Sequence, residues 1–156
     1  MARVLKPPAP LPAELGPSIF LAGSIEMGRA TDWQSQVEQA VAHCPLTVLN
    51  PRRDAWDASW AQDLSNSQFV GQVEWELAAQ ERADRILMYF APETQAPITL
   101  LELGLFARSG KLVVCCPPGY WRKGNVDVVC ARYGVPQLPE LADLCAYAAR
   151  WAASAE

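Results

Sequence analysis

The chain has 156 residues, 51% of them hydrophobic, with 13 Lys and Arg against 17 Asp and Glu, a formal net charge of -4. That length supports one domain with a sizeable core and makes a second domain unexpected. The mild acidity and the lack of a Lys/Arg block argue against a dedicated binder of DNA or RNA polymers, while nucleotides and other small anions stay open as ligands.

Five cysteines (Cys44, Cys115, Cys116, Cys130 and Cys145) form no CxxC pair, and the single histidine, His43, has no partner at metal-ligand spacing. No metal site is expected. An odd count with one adjacent pair fits packed thiols in a reducing cytoplasm better than a secreted disulfide framework. No run reaches the ~18 apolar residues of a membrane span. Residues 1–17, MARVLKPPAPLPAELGP, are proline-rich and lack a signal-peptide apolar core. They are read as an extended or mobile lead-in to a domain over 18–156.

From Ser18 onward, short apolar runs alternate with helical segments, the pattern of a parallel sheet covered on both faces. SIFLAG (18–23) is the first expected strand. A helix follows over about 31–43, with Thr31 or Asp32 as N-cap and Trp33, Val37, Ala40 and Val41 on its inner side. LTVLNP (46–51) is the second strand. The segment 52–67, RRDAWDASWAQDLSNS, shows no clear period, and connections of this length are often functional. A helix over about 69–82 is expected to turn Val73, Leu77 and its alanines inward. RILMYF (85–90) is the third strand, and a helix then starts at Pro97, a favourable first position. KLVVCCP (111–117) is the fourth strand, a polar loop follows, and VPQL (135–138) with a helix over about 139–153 closes the chain. Five strands so arranged predict an α/β, doubly wound, flavodoxin-like or Rossmann-like three-layer sandwich. Ligands bind such sheets outside the carboxyl ends of the strands, at a topological switch point.

That rule directs attention to the loops after Gly23, Asn50, Phe90 and Cys116. Within PITLLELGLFA (97–107), one carboxylate, Glu102, interrupts an apolar run. Charged side chains are rarely buried without a partner. On the second turn of its helix, with Leu101 and Leu103 committed to packing and Gly104 permitting close approach, Glu102 is expected to face the carboxyl edge of the sheet. A carboxylate desolvated there is suited to attack an electron-poor carbon or to stabilise a developing cation. The alternative is a half-exposed flank residue paired with Arg108 or Lys111. LAGSIEMGRATDW (21–33) does not make GxGxxG, so a nicotinamide site is not supported. The turn still places Gly23, Ser24 and Ile25 as candidate binding residues, with backbone N–H groups of 24–28 and Arg29 suited to phosphate or ribose oxygens. An ordinary strand-to-helix connection fits the spacing equally.

IFLAGSI, VEWELAAQERADRILMYF and ITLLELGLFA occur in the order seen in nucleoside 2-deoxyribosyltransferases and related N-glycoside hydrolases, and the chain resembles that family over about 18–133. The resemblance implies that the glutamate of LLELG, Glu102, is a nucleophile that forms a deoxyribosyl ester. It implies a second acid handling the leaving base, nearest to Glu76, with Glu74 and Asp84 as competitors, against Glu76 as a plain helix-surface residue. It also implies an asparagine, here Asn125, completing the sugar site in this chain or a neighbouring subunit, a homo-oligomer, a small nucleoside or nucleotide as ligand, and no cofactor. In GYWRKGNVDVVCARYG (119–134), aromatic side chains are suited to stack on a base and Arg122 and Lys123 to meet a phosphate; the alternative is a cationic loop anchored by buried aromatics. Arg52, Arg53 and Asp54 fall near the expected base pocket, but adjacent arginines depart from the apolar and amide groups of typical transferases. A second departure is the lack of an acid just before the nucleophile helix, where Glu93 is offset. Hydrolysis and a non-catalytic nucleotide-sensing role therefore stay beside transfer.

Overall fold

A computed structural model of the chain describes residues 1–26, 30–53 and 59–155. In chain order its elements are β1 (Arg3–Leu5), β2 (Ser18–Gly23), α1 (Trp33–Val41), β3 (Thr47–Leu49), α2 (Ser67–Arg82), β4 (Arg85–Tyr89), α3 (Pro97–Phe106), β5 (Leu112–Cys115), α4 (Lys123–Tyr133), β6 (Gln137–Leu138) and α5 (Leu141–Ser154). The strands form one parallel sheet in the order β1-β3-β2-β4-β5-β6. Without β1 this is the flavodoxin-like order, with the reversal of direction falling between β2 and β4.

The sheet is buried on both faces, so its central strands are apolar throughout and their side chains divide by parity. Ile19, Leu21, Leu87 and Val113 point to one side, where Trp33, Val37 and Val41 of α1 and Leu144, Ala148 and Ala152 of α5 cover them. Phe20, Ala22, Ile86, Met88 and Val114 point to the other, beneath Trp75 and Ala79 of α2, Leu103 of α3, and Val126 and Cys130 of α4. The result is the three-layer sandwich expected from the sequence. No described helix is long and apolar enough to cross a membrane.

The sheet has six strands where five were expected, because the lead-in supplies an edge strand. Arg3, Val4 and Leu5 pair with Thr47, Val48 and Leu49. The Arg3 guanidinium donates to Thr47 Oγ1 at 3.0 Å and to the Leu15 carbonyl at 3.3 Å. Farther along, Trp75 Nε1 donates to the Ala9 carbonyl at 2.8 Å, and Arg82 donates to those of Pro12 and Ala13 at 2.6 and 3.0 Å. The lead-in is therefore tied to both the sheet edge and α2. Three residues, only two of them apolar and soon followed by prolines, carry too weak a pattern to announce a strand.

Three local expectations also change. The stretch 123–133 is a helix, not a loop; only Val126 and Cys130 of its residues are buried, and no side chain caps its start. Ala40 is exposed, and Gln34 takes a buried place on α1 in its stead. Gly104 makes no close approach, since a Cβ there would meet nothing within 4 Å. Gly23 is the glycine that packing demands: a Cβ on it would lie 2.6 Å from the Tyr89 carbonyl oxygen and run into the Trp33 indole.

These two glycines give a paired prediction. Gly23→Ala should lower stability by about 1–3 kcal/mol through overpacking, whereas Gly104→Ala, in open space within a helix, should raise it by roughly 0.5–1 kcal/mol. Urea midpoints of the two variants measure this, and equal midpoints would contradict it.

Candidate active site

The switch point between β2 and β4 opens into a cavity of about 680 Å³. Its floor comes from Gly23, Ser24 and Ile25 after β2 and Pro51 after β3, and its walls are α2 and the first turns of α3. Glu102 lines it and is 7% exposed. The flank alternative fails on the partners of the nearby cations. Arg108 donates to the Tyr133 hydroxyl, and Lys111 Nζ donates to the carbonyls of Gln80 and Glu81. The partner of Glu102 is neutral: Gln80 Nε2 donates to Glu102 Oε2 at 2.6 Å.

Helix α2 explains how polar groups reach this interior. Gln72, Glu76 and Gln80 are four residues apart and form one stripe, with Gln72 and Gln80 buried. Val73 and Leu77, expected in the core, are half-buried in the cavity wall instead. Gln72 is fixed by donating to the Pro51 carbonyl at 3.1 Å and accepting from Arg53 at 3.2 Å. Gln80 also donates to the Glu76 carbonyl one turn back at 3.1 Å, while its own Oε1 has no partner.

Electrostatics in this pocket favour protonated acids. Burial pushes the Glu102 carboxyl up to about 8, the nearby charge of Glu76 pushes the same way, and the Gln80 hydrogen bond opposes them. Burial likewise pushes Glu76 up to about 7 against a hydrogen bond from Gln72. The balance follows from magnitudes. A hydrogen bond to a charged group contributes about 1.5–3 kcal/mol, whereas removing an ion from water costs several kcal/mol even after relaxation.

The start of α3 is shaped by a residue far away in the chain. Ala96 adopts φ 46 ahead of Pro97, and no side chain of the helix caps it. Glu26, itself at φ 48, holds the residue before the helix instead: its Oε1 accepts the Ala96 N–H at 2.8 Å. Both residues border the cavity. Periodicity could have found Gln80, four residues after Glu76, but nothing local in the sequence pairs Glu26 with Ala96.

The remaining candidates divide. Ser24 sits on the cavity floor, yet its N–H donates to Tyr89 O and its hydroxyl is engaged with Thr94 and Ala91 N, so its backbone is not free for a phosphate. Arg52 donates to the carbonyls of Ala30 and Thr31 and to Gln34 Oε1, clasping the entry to α1. Asp54, Gly28 and Arg29 lie outside the described residues. Glu74 is exposed at the cavity rim; Asp84 accepts from Ser18 N at the opposite end of the sheet, and Glu93 is exposed. Asn125 is exposed on α4 and is not among the residues bordering the cavity. Tyr120 is buried against Phe90, while Trp121 is exposed with Arg122 lying over it, and Lys123 binds Asp127; of the segment's aromatic residues Tyr120 alone is buried. Leu103 packs in the core as expected, but Leu101 is 60% exposed. All five cysteines are free, and the described residues hold no cluster of three or more His, Cys, Asp or Glu able to bind a metal ion.

The family model described as nucleoside 2-deoxyribosyltransferase like matches residues 16–120, which contain both glutamates, Gln80 and the β2 turn. No curated protein matches the chain.

The buried acids make a prediction about stability. A carboxyl raised on folding contributes stability that is fully present below its unfolded range near 4.5 and is lost as pH rises through about 7 for Glu76 and about 8 for Glu102. Glu102→Gln removes that loss, so its Tm should exceed that of the wild type by about 5 °C or more at pH 9 and show no such advantage at pH 4. A pH-independent difference in calorimetry would contradict the assignment.

Proposed function

The chain belongs to the nucleoside 2-deoxyribosyltransferase-like family, and on that premise we propose that it cleaves the N-glycosidic bond of a nucleoside through Glu102 and passes the sugar to another base. One observation carries this: a carboxylate buried beside a second acid, with a neutral amide as its partner, in the wall of a cavity able to take a small organic ligand.

A glycosidic carbon leaving its base nitrogen develops positive charge, which favours the ionised form of Glu102 and leaves a protonated Glu76 to serve the leaving base. Glu102 forms the bond to C1′ as the C1′–N bond breaks. The electron pair of that bond goes to the base nitrogen, which takes the proton of Glu76. An acceptor base then attacks C1′ from the side the first base left, its proton passes to Glu76, and the ester electrons return to Glu102. Two displacements give overall retention. Water in the place of the acceptor base would make the same machinery a hydrolase.

Among the described residues, Glu26 and Glu74 border the cavity beside Glu76 and Glu102. Carboxylate charge there repels a phosphate dianion, which supports an uncharged nucleoside over a 5′-monophosphate. The rim supports an oligomer, with a second copy as the covering partner. Ile98, Leu101 and Leu105 lie along one face of α3 at 58, 60 and 54% exposure, beside the highly exposed Leu64. Asn125, exposed and outside this cavity, would then reach the site of the neighbouring subunit.

Incubation with a panel of 2′-deoxynucleosides and their 5′-monophosphates should release free base, transfer the sugar when an acceptor base is present, and leave a mass adduct on the peptide containing Glu102. Glu102→Gln should reduce turnover by about a thousandfold or more. Base release that depends on no acceptor would select hydrolysis, and ligand binding without release or adduct would select the sensing role. Leu101→Glu should lower the molar mass measured by light scattering to that of the monomer; a monomeric wild type would remove the oligomer from the proposal.

A further inference from the structure

Gln80 hydrogen-bonds to the Glu102 carboxyl and to the main-chain carbonyl of Glu76. It is fully buried on α2, one turn beyond Glu76, and it reaches across to α3. Its Nε2 carries both of its hydrogen bonds, one to the Glu76 carbonyl at 3.1 Å and one to Glu102 Oε2 at 2.6 Å. The backbone carbonyl of Gln80 accepts in turn from Lys111 Nζ at 3.2 Å, which anchors this turn of α2 to the start of β5. Its Oε1 is buried and without a partner. Burying an amide oxygen unpaired is costly, and a leucine of similar size would avoid that cost, so the amide is not explained by packing.

Resting on the glycosyl-transfer reading above, we propose that Gln80 is the positioning residue of the reaction, selecting which oxygen of Glu102 attacks the sugar. With Oε2 held by the amide, Oε1 is the oxygen left to form the bond to C1′. In the resulting ester Oε2 becomes the carbonyl oxygen, which still accepts from Gln80 Nε2. When the ester breaks, the electron pair of the C1′–O bond returns to Glu102, and the same N–H stabilises the carboxylate as it reforms. One donor therefore serves the attack, the intermediate and the release without moving. An amide is suited to this place because it donates without gaining or losing a proton, and so leaves the single proton of the acid pair to Glu76 and the base.

The test uses the full chain, a 2′-deoxynucleoside turned over by the wild type, and two variants checked for folding by circular dichroism. Gln80→Leu should lower the rate of adduct formation on Glu102 by about thirtyfold or more, change KM by less than about threefold, and move the acidic limb of the pH–rate profile to higher pH. The limb moves that way because the lost N–H favoured the ionised nucleophile. Gln80→Glu should behave in the opposite sense to the wild type: its protonated form donates to Glu102 and its ionised form repels it, so activity should fall where the wild-type activity rises. Should the leucine variant fail to fold, this inverted profile decides alone. A folded leucine variant with the wild-type rate and profile, or a glutamate variant with the wild-type profile, overturns the role of Gln80 while leaving the nucleophile in place. Absence of any adduct in the wild type overturns both.

Discussion

The organising constraint is a carboxyl group kept out of water with no cation among the described residues to balance it. Glu102 is almost wholly buried, and its hydrogen-bond partner is an uncharged amide. A rise from the ordinary 4.5 to about 8 corresponds to roughly 5 kcal/mol against ionisation. An arginine in place of Gln80 would relieve that penalty, but it would also hold the anion so firmly that little reactivity remained. The arrangement accepts lower stability as pH rises, a trade common at functional sites.

The surrounding fold makes that constraint bearable. The sheet is buried on both faces by helices of two distinct clusters, so the cavity does not interrupt a shared core. It lies at the edge where β2 and β4 part company, and there α2 can turn a polar stripe inward because the apolar core has already closed beneath Trp75 and Ala79. The lead-in helps from outside, clamping α2 through Trp75 and Arg82.

How much of this the sequence disclosed follows from which signals are periodic. The central strands were legible because parallel strands covered on both sides are continuous apolar runs. Edge strand β1 and helix α4 were not, the first for brevity and the second because so little of it is buried. Glu102 was conspicuous as a lone charge among leucines. The stripe Gln72, Glu76, Gln80 was harder to see, since a search for apolar spacing on α2 selects Val73 and Leu77, which face the cavity rather than the core. Arg52 and Ser24 were placed near the site by strand ends; Ser24 borders the cavity, and Arg52 is not among the residues lining it. Their hydrogen-bond partners, which decide what each can do, come from segments distant in sequence.

The contact between Glu26 and Ala96 spans 70 positions of the chain and joins two backbones that both adopt a left-handed conformation. Such a joint ties Glu26, in the turn after β2, to the start of the helix that carries Glu102. A side-chain change at Glu26 would therefore reach the wall of the cavity from a distant part of the chain. Grafting a foreign loop there would require a new acceptor for the Ala96 N–H in the same step.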